Sequence, residues 1–506
     1  MRAGRGDRGA PADRHVGPDF VIDPRAERAG VEDHCGVLAI AAKQPVAPLI
    51  YFALRALQHR GQESAGIAVH APEGGVRAMR GMGLVHEVFT EQALRDLPGE
   101  AGIGHVRYAT TGQSRIDNSQ PVIASCALGD VALGHNGDIV NATPLRATLE
   151  RSGQGMITQT DTEVLVRLFA AELTAHQSVE RALRRVAARV NGAYCLAVLV
   201  EGTVIAIRDP LGIKPLVLGE LPNGGGFVAA SETVALDTLG AQFVRDVKPG
   251  EAVVLTPEAV TSLTIGAANR PAHCMFEWVY FARPDSIIEG REVYATRLEI
   301  GRRLAKEAPV DADVVVPIPD SGRTHALGYA QVSGVPLAEG LIKNRYVGRT
   351  FIMPDQQMRD LHVRIKLNAI PSIIRGKRVV LIDDSVIRGT TMKRIVDHVR
   401  HAGAREVHVR IGCPPVVAPC YLGIDMKSRL QFIANGRTTA EIAEVIGADT
   451  LHYLSIEGLV ECIGMAKDDL CLGCITAEYP VEIPGERYRF QRTLPIEQPP
   501  AGLDPR

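Results

Sequence analysis

The segment VVLIDDSVIRGTT, residues 379–391, indicates the fold of the C-terminal half of the chain. Its four leading apolar residues are typical of a strand buried on both faces of a parallel sheet. Two aspartates follow directly, and a glycine and two threonines then lead into a helical pattern near Met392. Ligands bind at the carboxyl ends of strands in a doubly wound α/β sheet, so we expect a binding site here.

The same segment has the chemistry of a phosphate site. Arg388, Gly389 and the following threonines would surround a phosphate monoester with backbone N–H groups, hydroxyls and a helix N-terminus. Asp383 and Asp384 cannot serve the same anion, so we expect them to hold ribose hydroxyls, partly through Mg²⁺. A solvated aspartate pair is the alternative. The motif resembles the 5-phosphoribosyl-1-pyrophosphate (PRPP) motif of the phosphoribosyltransferases.

Two further segments extend that resemblance. PIPDSGRTHALGYA, residues 317–330, follows another buried strand, and its glycine turn and arginine could receive a pyrophosphate group. KNRYVGRTFIMP, residues 343–354, is a basic loop that could close over a polyanion, or simply be solvated. The resemblance implies that Ser321 joins the two aspartates at Mg²⁺. The residues expected to bind PRPP are Asp320, Ser321, Gly322, Arg323, Lys343, Arg345, Tyr346, Asp383, Asp384, Ser385, Arg388, Gly389, Thr390 and Thr391.

A lone cysteine, Cys35, precedes the first apolar run in GVEDHCGVLAI, residues 30–40. The run after it resembles the opening strand of the N-terminal-nucleophile glutamine amidotransferases. In that family, cleavage before the cysteine makes its own α-amino group the base, whose pKa of about 7.7–8.0 suits a thiol proton. We therefore expect residues 1–34 to be a disordered propeptide and Cys35 to be the nucleophile. A buried structural cysteine is the alternative.

Three more segments, GHVRYATTG, GHNGDI and QTDTEVL, match that family. The guanidinium of Arg107 could clamp the α-carboxylate of glutamine. Asn136 and the backbone N–H of Gly137 could donate to a tetrahedral oxyanion. The resemblance implies that an aspartate holds the substrate's α-ammonium group. The expected glutamine-binding residues are Arg107, Tyr108, Thr110, Asn136, Gly137 and Asp161.

Nine cysteines at irregular intervals favour thiol chemistry or metal binding over a disulfide framework. The pair in CLGC, Cys471 and Cys474, could bind zinc, act as a redox pair or do neither. Cys274 in HCMFEWVYFARPDS and Cys420 in APCYLGID match the iron–sulfur branch of the amidotransferases, which implies a [4Fe–4S] cluster on these four thiolates. Zinc on the same ligands is the alternative. Core positions are expected for Cys126, Cys195, Cys413 and Cys462.

Both halves together resemble the amidophosphoribosyltransferase family. The resemblance implies an α/β chain with an N-terminal-nucleophile αββα sandwich, the class II glutaminase domain, at residues 35–270. A phosphoribosyltransferase domain with a mostly parallel sheet would follow at 271–480, and a tail at 481–506. The implied reaction makes 5-phosphoribosylamine, pyrophosphate and glutamate from PRPP, glutamine and water, at the first step of de novo purine biosynthesis. A homotetramer and inhibition by purine nucleotides are also implied.

Composition and patterning exclude several other classes. The net charge is −2 with no block of like charge, so we expect no nucleic-acid partner. No run of about eighteen apolar residues predicts a membrane span, and the leader lacks the apolar middle of a secretory signal, which favours a cytoplasmic location. The rival functions are a PRPP-binding regulatory protein with a vestigial glutaminase domain, an iron–sulfur nucleic-acid enzyme, and a glutaminase coupled to a sugar isomerase.

Overall fold

The computed structural model describes residues 35–108, 114–344, 367–426 and 428–484. The predictions for the propeptide, Thr110, Arg345, Tyr346, the rest of the basic loop and the end of the tail fall outside these ranges. Among the described residues, no helix combines the length and apolar character needed to cross a membrane.

Two antiparallel sheets form the centre of the N-terminal half. Their strands are β1 (Gly36–Ala42), β2 (Ser64–His70), β3 (Val76–Met82), β4 (Ala101–Arg107), β5 (Val122–Cys126), β6 (Gly129–Ile139), β7 (Gly192–Val200), β8 (Thr203–Arg208), β9 (Val217–Glu220), β10 (Gly226–Ala230), β11 (Gln242–Asp246), β12 (Glu251–Leu255) and β13 (Val260–Thr264). One sheet has the order β11–β9–β10–β1–β4–β2–β3, and the other has the order β13–β12–β8–β7–β6–β5.

Helices cover the outer face of each sheet. They are α1 (Ala47–Ala56), α2 (Val85–Val88), α3 (Glu91–Arg95), α4 (Ala142–Arg151), α5 (Asp161–His176), α6 (Val179–Ala187) and α7 (Thr233–Leu239). Small side chains such as Ala39 and Ala197 fill the core between the sheets, while Ile50 of α1 and Phe169 of α5 belong to separate outer cores. The predicted αββα sandwich is therefore confirmed.

A parallel sheet organises the C-terminal half. The strands of this half are β14 (His273–Cys274), β15 (Ile287–Ile288), β16 (Arg291–Glu292), β17 (Val314–Pro317), β18 (Leu341–Lys343), β19 (Leu367–Ala369), β20 (Arg378–Asp383), β21 (Glu406–Ile411), β22 (Thr450–Tyr453) and β23 (Leu470–Cys471). Four of them form the parallel sheet β17–β20–β21–β22. Val379–Ile382 of β20 are fully buried, as the continuous apolar run predicts.

The helices of this half are α8 (Val293–Glu307), α9 (Gly322–Ser333), α10 (Pro371–Ile374), α11 (Thr390–His401), α12 (Thr439–Ile446), α13 (Ile456–Ile463) and α14 (Gly473–Thr476). A short π-helix, Glu277–Phe281, precedes them. One continuous apolar core contains Trp278 and Val380 of this half together with Ala193 and Ile213 of the other. The backbone N–H of Cys274 also donates to the carbonyl of Ile213 at 3.0 Å. The two halves are thus packed against each other.

Candidate active sites

Cys35 lies directly before β1 and is 6% exposed. Its Sγ–H donates to the carbonyl oxygen of Tyr108 across 3.6 Å. Burial raises the pKa of the Cys35 thiol to about 12; nearby Arg107 lowers the pKa and Asp161 raises it further. The thiol is therefore protonated at neutral pH, and nucleophilic attack by the sulfur needs a base.

Arg107 and Asp161 lie beside the nucleophile on different elements. Arg107 ends β4, which pairs with β1, and its guanidinium lies 3.4 Å from the carboxylate of Glu63. Asp161 is the first residue of α5. Thr160 caps this helix, because the Thr160 hydroxyl accepts a hydrogen bond from the N–H of Glu163. The fold thus brings together residues that are more than fifty positions apart in the sequence.

The Asp161 carboxylate also contacts β6. Its Oδ2 accepts from the N–H of Ile139 at 3.2 Å and lies 3.6 Å from His135 Nδ1. Burial is the largest single effect and lowers the pKa of His135, but Asp161 together with the Ala193 carbonyl and Asp138 raises it by more, so the pKa is raised overall. Asp161 is therefore held against the strand that carries Asn136.

Asn136 and Gly137 lie on β6 close to these groups. Asn136 is fully buried, and neither its Nδ2 nor its Oδ1 has a hydrogen-bond partner among the described residues. Gly137 has a φ of +147°, and a Cβ there would lie 2.0 Å from the carbonyl oxygen of Ala193. Buried polar atoms are nearly always satisfied, so an unpartnered amide is suited to a ligand oxygen.

The predicted PRPP segment lines a cavity of about 150 Å³ at the carboxyl edge of the parallel sheet. Eight predicted residues line it, namely Ser321, Asp383, Asp384, Ser385, Arg388, Gly389, Thr390 and Thr391. Two other lining residues, Tyr280 and Ile318, were not predicted from the sequence. Ile318 directly follows β17, so its place at the carboxyl end of a buried strand could have indicated a position at the cavity. Tyr280 comes from the π-helix outside the sheet, and no local sequence pattern indicates its position at the cavity.

The aspartate pair is held by local hydrogen bonds. The backbone N–H of Asp384 donates to Asp383 Oδ1 at 3.0 Å, and the hydroxyl of Ser385 donates to Asp384 Oδ2 at 2.7 Å. Burial and then the neighbouring Asp384 carboxylate raise the pKa of Asp383 well above its usual value, and a hydrogen bond from Ser321 opposes this rise. Two close carboxylates with a hydroxyl nearby are a donor set that fits Mg²⁺.

Gly389 makes the turn from this pair into α11. Its φ is +77°, and a Cβ there would lie 2.1 Å from Cδ1 of Ile433. Only glycine fits that space without displacing Ile433. The helix then begins at Thr390, and Thr390 and Thr391 at its N-terminus line the cavity.

Four other predicted PRPP residues fall within the described ranges but do not line the cavity, namely Asp320, Gly322, Arg323 and Lys343. Gly322 stacks on the end of β20, since a Cβ there would lie 2.3 Å from the carbonyl oxygen of Ile382. Lys343 forms an exposed ion pair with Asp320 at 3.1 Å, and Arg323 lies 3.3 Å from Glu339. These charged side chains are engaged with each other in this structure.

The four predicted cluster cysteines come from three segments that are adjacent in space. Cys274 and Cys471 are paired directly between β14 and β23. The carbonyl of Cys474 accepts from the N–H groups of Val417 and Ala418 at 2.9 and 3.0 Å. Within the described ranges, no three His, Cys, Asp or Glu side chains have the spacing of a site for one metal ion.

The thiols nevertheless interact electrostatically. Burial raises the pKa of Cys274 to about 11; within this net rise Lys214 lowers the pKa, while Glu277 and Cys420 raise it. Burial also raises the pKa of Cys474, and Cys420, Cys413, Cys471 and Cys274 raise it further in that order.

Cys413, predicted only as a core residue, is indeed buried. Core positions were wrong for Cys126 and Cys462, which are half-buried because they lie at the edges of their cores.

A buried ionic network joins the two halves beside Cys35. Arg60 Nε donates to the Cys35 carbonyl at 3.4 Å, and the same guanidinium contacts Glu232 and Glu277. Lys214 Nζ lies 3.8 Å from Glu277 and is fully buried. Arg60 was not predicted from the sequence, although the charged run HRGQES among apolar segments was a possible signal.

Comparisons with known proteins follow the same division. Residues 105–238 match a glutamine amidotransferase domain, and residues 292–413 match a phosphoribosyl transferase domain. The amidophosphoribosyltransferase of Methanothermobacter thermautotrophicus is 50% identical over 464 residues, covering 91% of this chain and 97% of that protein. The chain belongs to the amidophosphoribosyltransferase family. It is therefore an enzyme that joins a glutamine amidotransferase domain to a glycosyltransferase domain of the pentosyltransferase type.

Other relatives agree with this membership. The Mycobacterium tuberculosis amidophosphoribosyltransferase is 46% identical, covering 92% of this chain and 89% of that protein. The solved glutamine PRPP amidotransferase of B. subtilis, complexed with ADP and GMP, superposes with a TM-score of 0.83 at 42% identity, covering 89% of this chain and 98% of that one. Mg²⁺ is the usual cofactor of phosphoribosyltransferases, and the acidic pair in the cavity fits it.

Proposed function

We propose that the two sites carry out the two halves of the amidophosphoribosyltransferase reaction, the first step of purine biosynthesis. Glutamine is hydrolysed at Cys35, and the ammonia released converts PRPP to 5-phosphoribosylamine and pyrophosphate. The observation that carries this proposal is the presence in one chain of a buried thiol beside an unpartnered amide and a second, phosphate-type cavity. A PRPP-binding regulator is not favoured, because Cys35, Asn136 and Gly137 are all in place.

In the glutamine half, removal of residues 1–34 would give Cys35 a free α-amino group. That amine accepts the thiol proton, and the sulfur attacks the amide carbon to give a tetrahedral oxyanion, to which Asn136 Nδ2–H and the N–H of Gly137 donate. The protonated α-amino group then gives its proton to the amide nitrogen as the carbon–nitrogen bond breaks and ammonia leaves. Water hydrolyses the thioester to glutamate and regenerates the Cys35 thiol. Arg107 would bind the α-carboxylate and Asp161 the α-ammonium group, with Tyr108 and Thr110 completing the pocket.

In the PRPP half, the N-terminus of α11 with Thr390 and Thr391 would hold the 5-phosphate. Asp383 and Asp384 would orient the ribose hydroxyls, and Mg²⁺, when bound with Ser321, would neutralise charge on the pyrophosphate. Ammonia forms a bond to C1 of the ribose as the C1–oxygen bond breaks, and the electron pair leaves with pyrophosphate. Asp320, Gly322, Arg323, Lys343, Arg345 and Tyr346 would receive the pyrophosphate.

Internal transfer of ammonia is supported by the position of the π-helix Glu277–Phe281. Glu277 contacts Arg60 beside the nucleophile, while Tyr280 lines the PRPP cavity. Ammonia released into water at neutral pH would mostly become ammonium, which is not a nucleophile. A short apolar passage along this helix would preserve its reactivity.

A [4Fe–4S] cluster on Cys274, Cys420, Cys471 and Cys474 is a further part of this proposal. The fit rests on two buried thiols, Cys274 and Cys474, that interact with two half-buried thiols, Cys420 and Cys471. Soft sulfur ligands favour iron–sulfur clusters. Bound there, a cluster would tie β23 and α14 to the body of the domain. Metal analysis and the visible spectrum of anaerobically purified protein test it: about four irons and a brown colour support the cluster, and stoichiometric zinc overturns it.

Several other parts rest on the family resemblance. We propose the domain limits 35–270 and 271–480, with a propeptide before and a tail after them, a homotetramer, and a cytoplasmic location. Inhibition by purine nucleotides is supported by the ADP and GMP in the B. subtilis structure. Intact mass with N-terminal sequencing tests the propeptide: active protein should begin at Cys35, and full glutamine-dependent activity in a chain beginning at Met1 would contradict it.

The test of the function itself is a two-substrate assay. Pyrophosphate and glutamate should form in equal amounts, and pyrophosphate should require PRPP together with either glutamine or an ammonium salt at alkaline pH. Binding of PRPP without any pyrophosphate release would support the regulatory alternative instead.

A further inference from the structure

The loop formed by residues 420–426, which begins with a proposed cluster ligand, packs on the glutaminase site. Its ends are fixed because the N–H of Cys420 donates to the carbonyl of Met426 at 2.9 Å. The N–H of Leu422 donates to Cys420 Sγ at 3.4 Å, and the Leu422 side chain is 2% exposed. The loop is thus a tight turn in which the side chains of Leu422, Ile424 and Met426 are buried.

The middle of this loop is Gly423, and it lies against the backbone of Gly137. A Cβ at Gly423 would lie 3.0 Å from both the Cα and the carbonyl carbon of Gly137, and 3.4 Å from the N of Asp138. Gly423 is buried and has a φ of +110°. No side chain separates the two glycines, so a shift of the loop is passed directly to the backbone of Gly137.

Gly137 is enclosed from the other side as well. A Cβ there would lie 2.0 Å from the Ala193 carbonyl oxygen and 2.9 Å from His135 Nε2. The peptide that follows Asn136 therefore lies between β7 on one side and the C-terminal half on the other. An oxyanion donor stabilises the developing negative charge only if it is already oriented before the charge forms. Rigid packing on both sides of the peptide provides this preorganisation.

We propose that Gly423 is a positioning residue for the glutaminase reaction, through which the loop at residues 420–426 holds the N–H of Gly137 in its donating orientation. This inference rests on the proposed role of Asn136 and Gly137. It makes the C-terminal half a structural part of the glutamine site. It also means that anything that anchors Cys420, including a cluster, supports the oxyanion donor.

The test compares Gly423→Ala with Gly74→Ala in the full-length enzyme. Gly74 has a φ of +96°, and a Cβ there would have no other atom within 4 Å, so it matches the backbone strain without the contact. Gly423→Ala should lower the glutamine-dependent kcat by about 10- to 100-fold, while its KM for glutamine, its ammonia-dependent rate and its iron content stay within about twofold of wild type. Gly74→Ala should leave all four within about twofold.

Two outcomes would overturn the proposal: a glutamine-dependent kcat within about twofold of wild type, or an equal loss with ammonia. Leu422→Ala provides a second route if Gly423→Ala does not fold. It should speed amide hydrogen exchange in residues 134–140, and unchanged exchange there would also refute the positioning role. Asn136→Ala distinguishes failure of the proposed function from failure of the positioning role. If Asn136→Ala keeps full glutaminase activity, the oxyanion assignment itself fails. If Asn136→Ala loses glutaminase activity while Gly423→Ala keeps it, only the positioning role of Gly423 is refuted.

Discussion

Replacing Glu277 by glutamine should destabilise the contact between the two halves. The Glu277 carboxylate is 1% exposed and lies 2.9–3.1 Å from the guanidinium nitrogens of Arg60. Lys214 Nζ is 3.8 Å away, and Glu232 is the other carboxylate in contact with Arg60. His59 also contacts Glu232. The substitution removes the negative charge that contacts both buried cations, Arg60 and Lys214.

The expected cost follows from this charge imbalance. Removing one partner of a buried ion pair costs about 3–5 kcal/mol, because the remaining charge is left buried without compensation. The glutamine amide can still accept from Arg60, so we expect a loss of about 3 kcal/mol. The exposed pair of Glu91 and Arg95 provides the control, since Glu91→Gln should cost less than about 1 kcal/mol.

The assay uses Trp278, the single tryptophan of the chain, which is fully buried and adjacent to Glu277. Its fluorescence during urea unfolding reports the transition of this region, and the shift in midpoint multiplied by the slope gives the change in free energy. The double variant Glu277→Gln with Lys214→Met should recover part of the loss by restoring charge balance. Equal midpoints for the Glu277→Gln and Glu91→Gln variants would refute the reasoning.

Three other variants test the two sites and one half-buried acid, Asp246. Cys35→Ser should lower glutamine-dependent synthesis by at least about a thousandfold while ammonia-dependent synthesis persists, and equal losses in the two assays would contradict the assigned role. Asp384→Asn should lower synthesis about 100-fold with either nitrogen source and leave glutamine hydrolysis without PRPP unchanged; a selective loss with glutamine would be incompatible with a PRPP role. Burial and then Glu289 raise the pKa of Asp246 from 3.8 to about 6. Between pH 3.8 and pH 6 the folded state therefore binds more protons than the unfolded state. The contribution of Asp246 to the free energy of unfolding is full below about pH 4 and is lost as the pH rises through about 6. The free energy of unfolding of Asp246→Asn relative to wild type should therefore increase by about 2 kcal/mol from pH 4 to pH 7 in urea titrations, and a pH-independent difference would show that the pKa is not raised.

The sequence was sufficient for features that depend on short stretches of chain. The run at residues 379–391 carries its strand, its acidic pair and its glycine turn within thirteen residues, and the structure has all three in that order. The four-layer sandwich followed from the family resemblance at Cys35, Arg107 and Asn136. Their convergence with Asp161 could be expected only because whole motifs were matched.

Local pattern did not distinguish side chains that differ only in their surroundings. Cys126 is the last residue of a strand whose Val122 and Ala124 are buried, yet it is itself half-buried. The helical pattern of residues 162–189 forms two helices, α5 and α6, because Gln177 adopts a left-handed conformation with a φ of +47°. Nothing in the periodicity of the stretch marks that break.

Hydrophobic periodicity and turn residues thus determined which elements form, because a strand or helix depends on neighbours a few positions away. Only the tertiary structure decided that Arg60 meets Glu277, that Tyr280 lines the PRPP cavity, and that Gly423 lies on Gly137. Each of these contacts joins distant parts of the chain. Periodicity specifies that a face is buried but not which surface buries it, so the packing of the two halves supplied these partners.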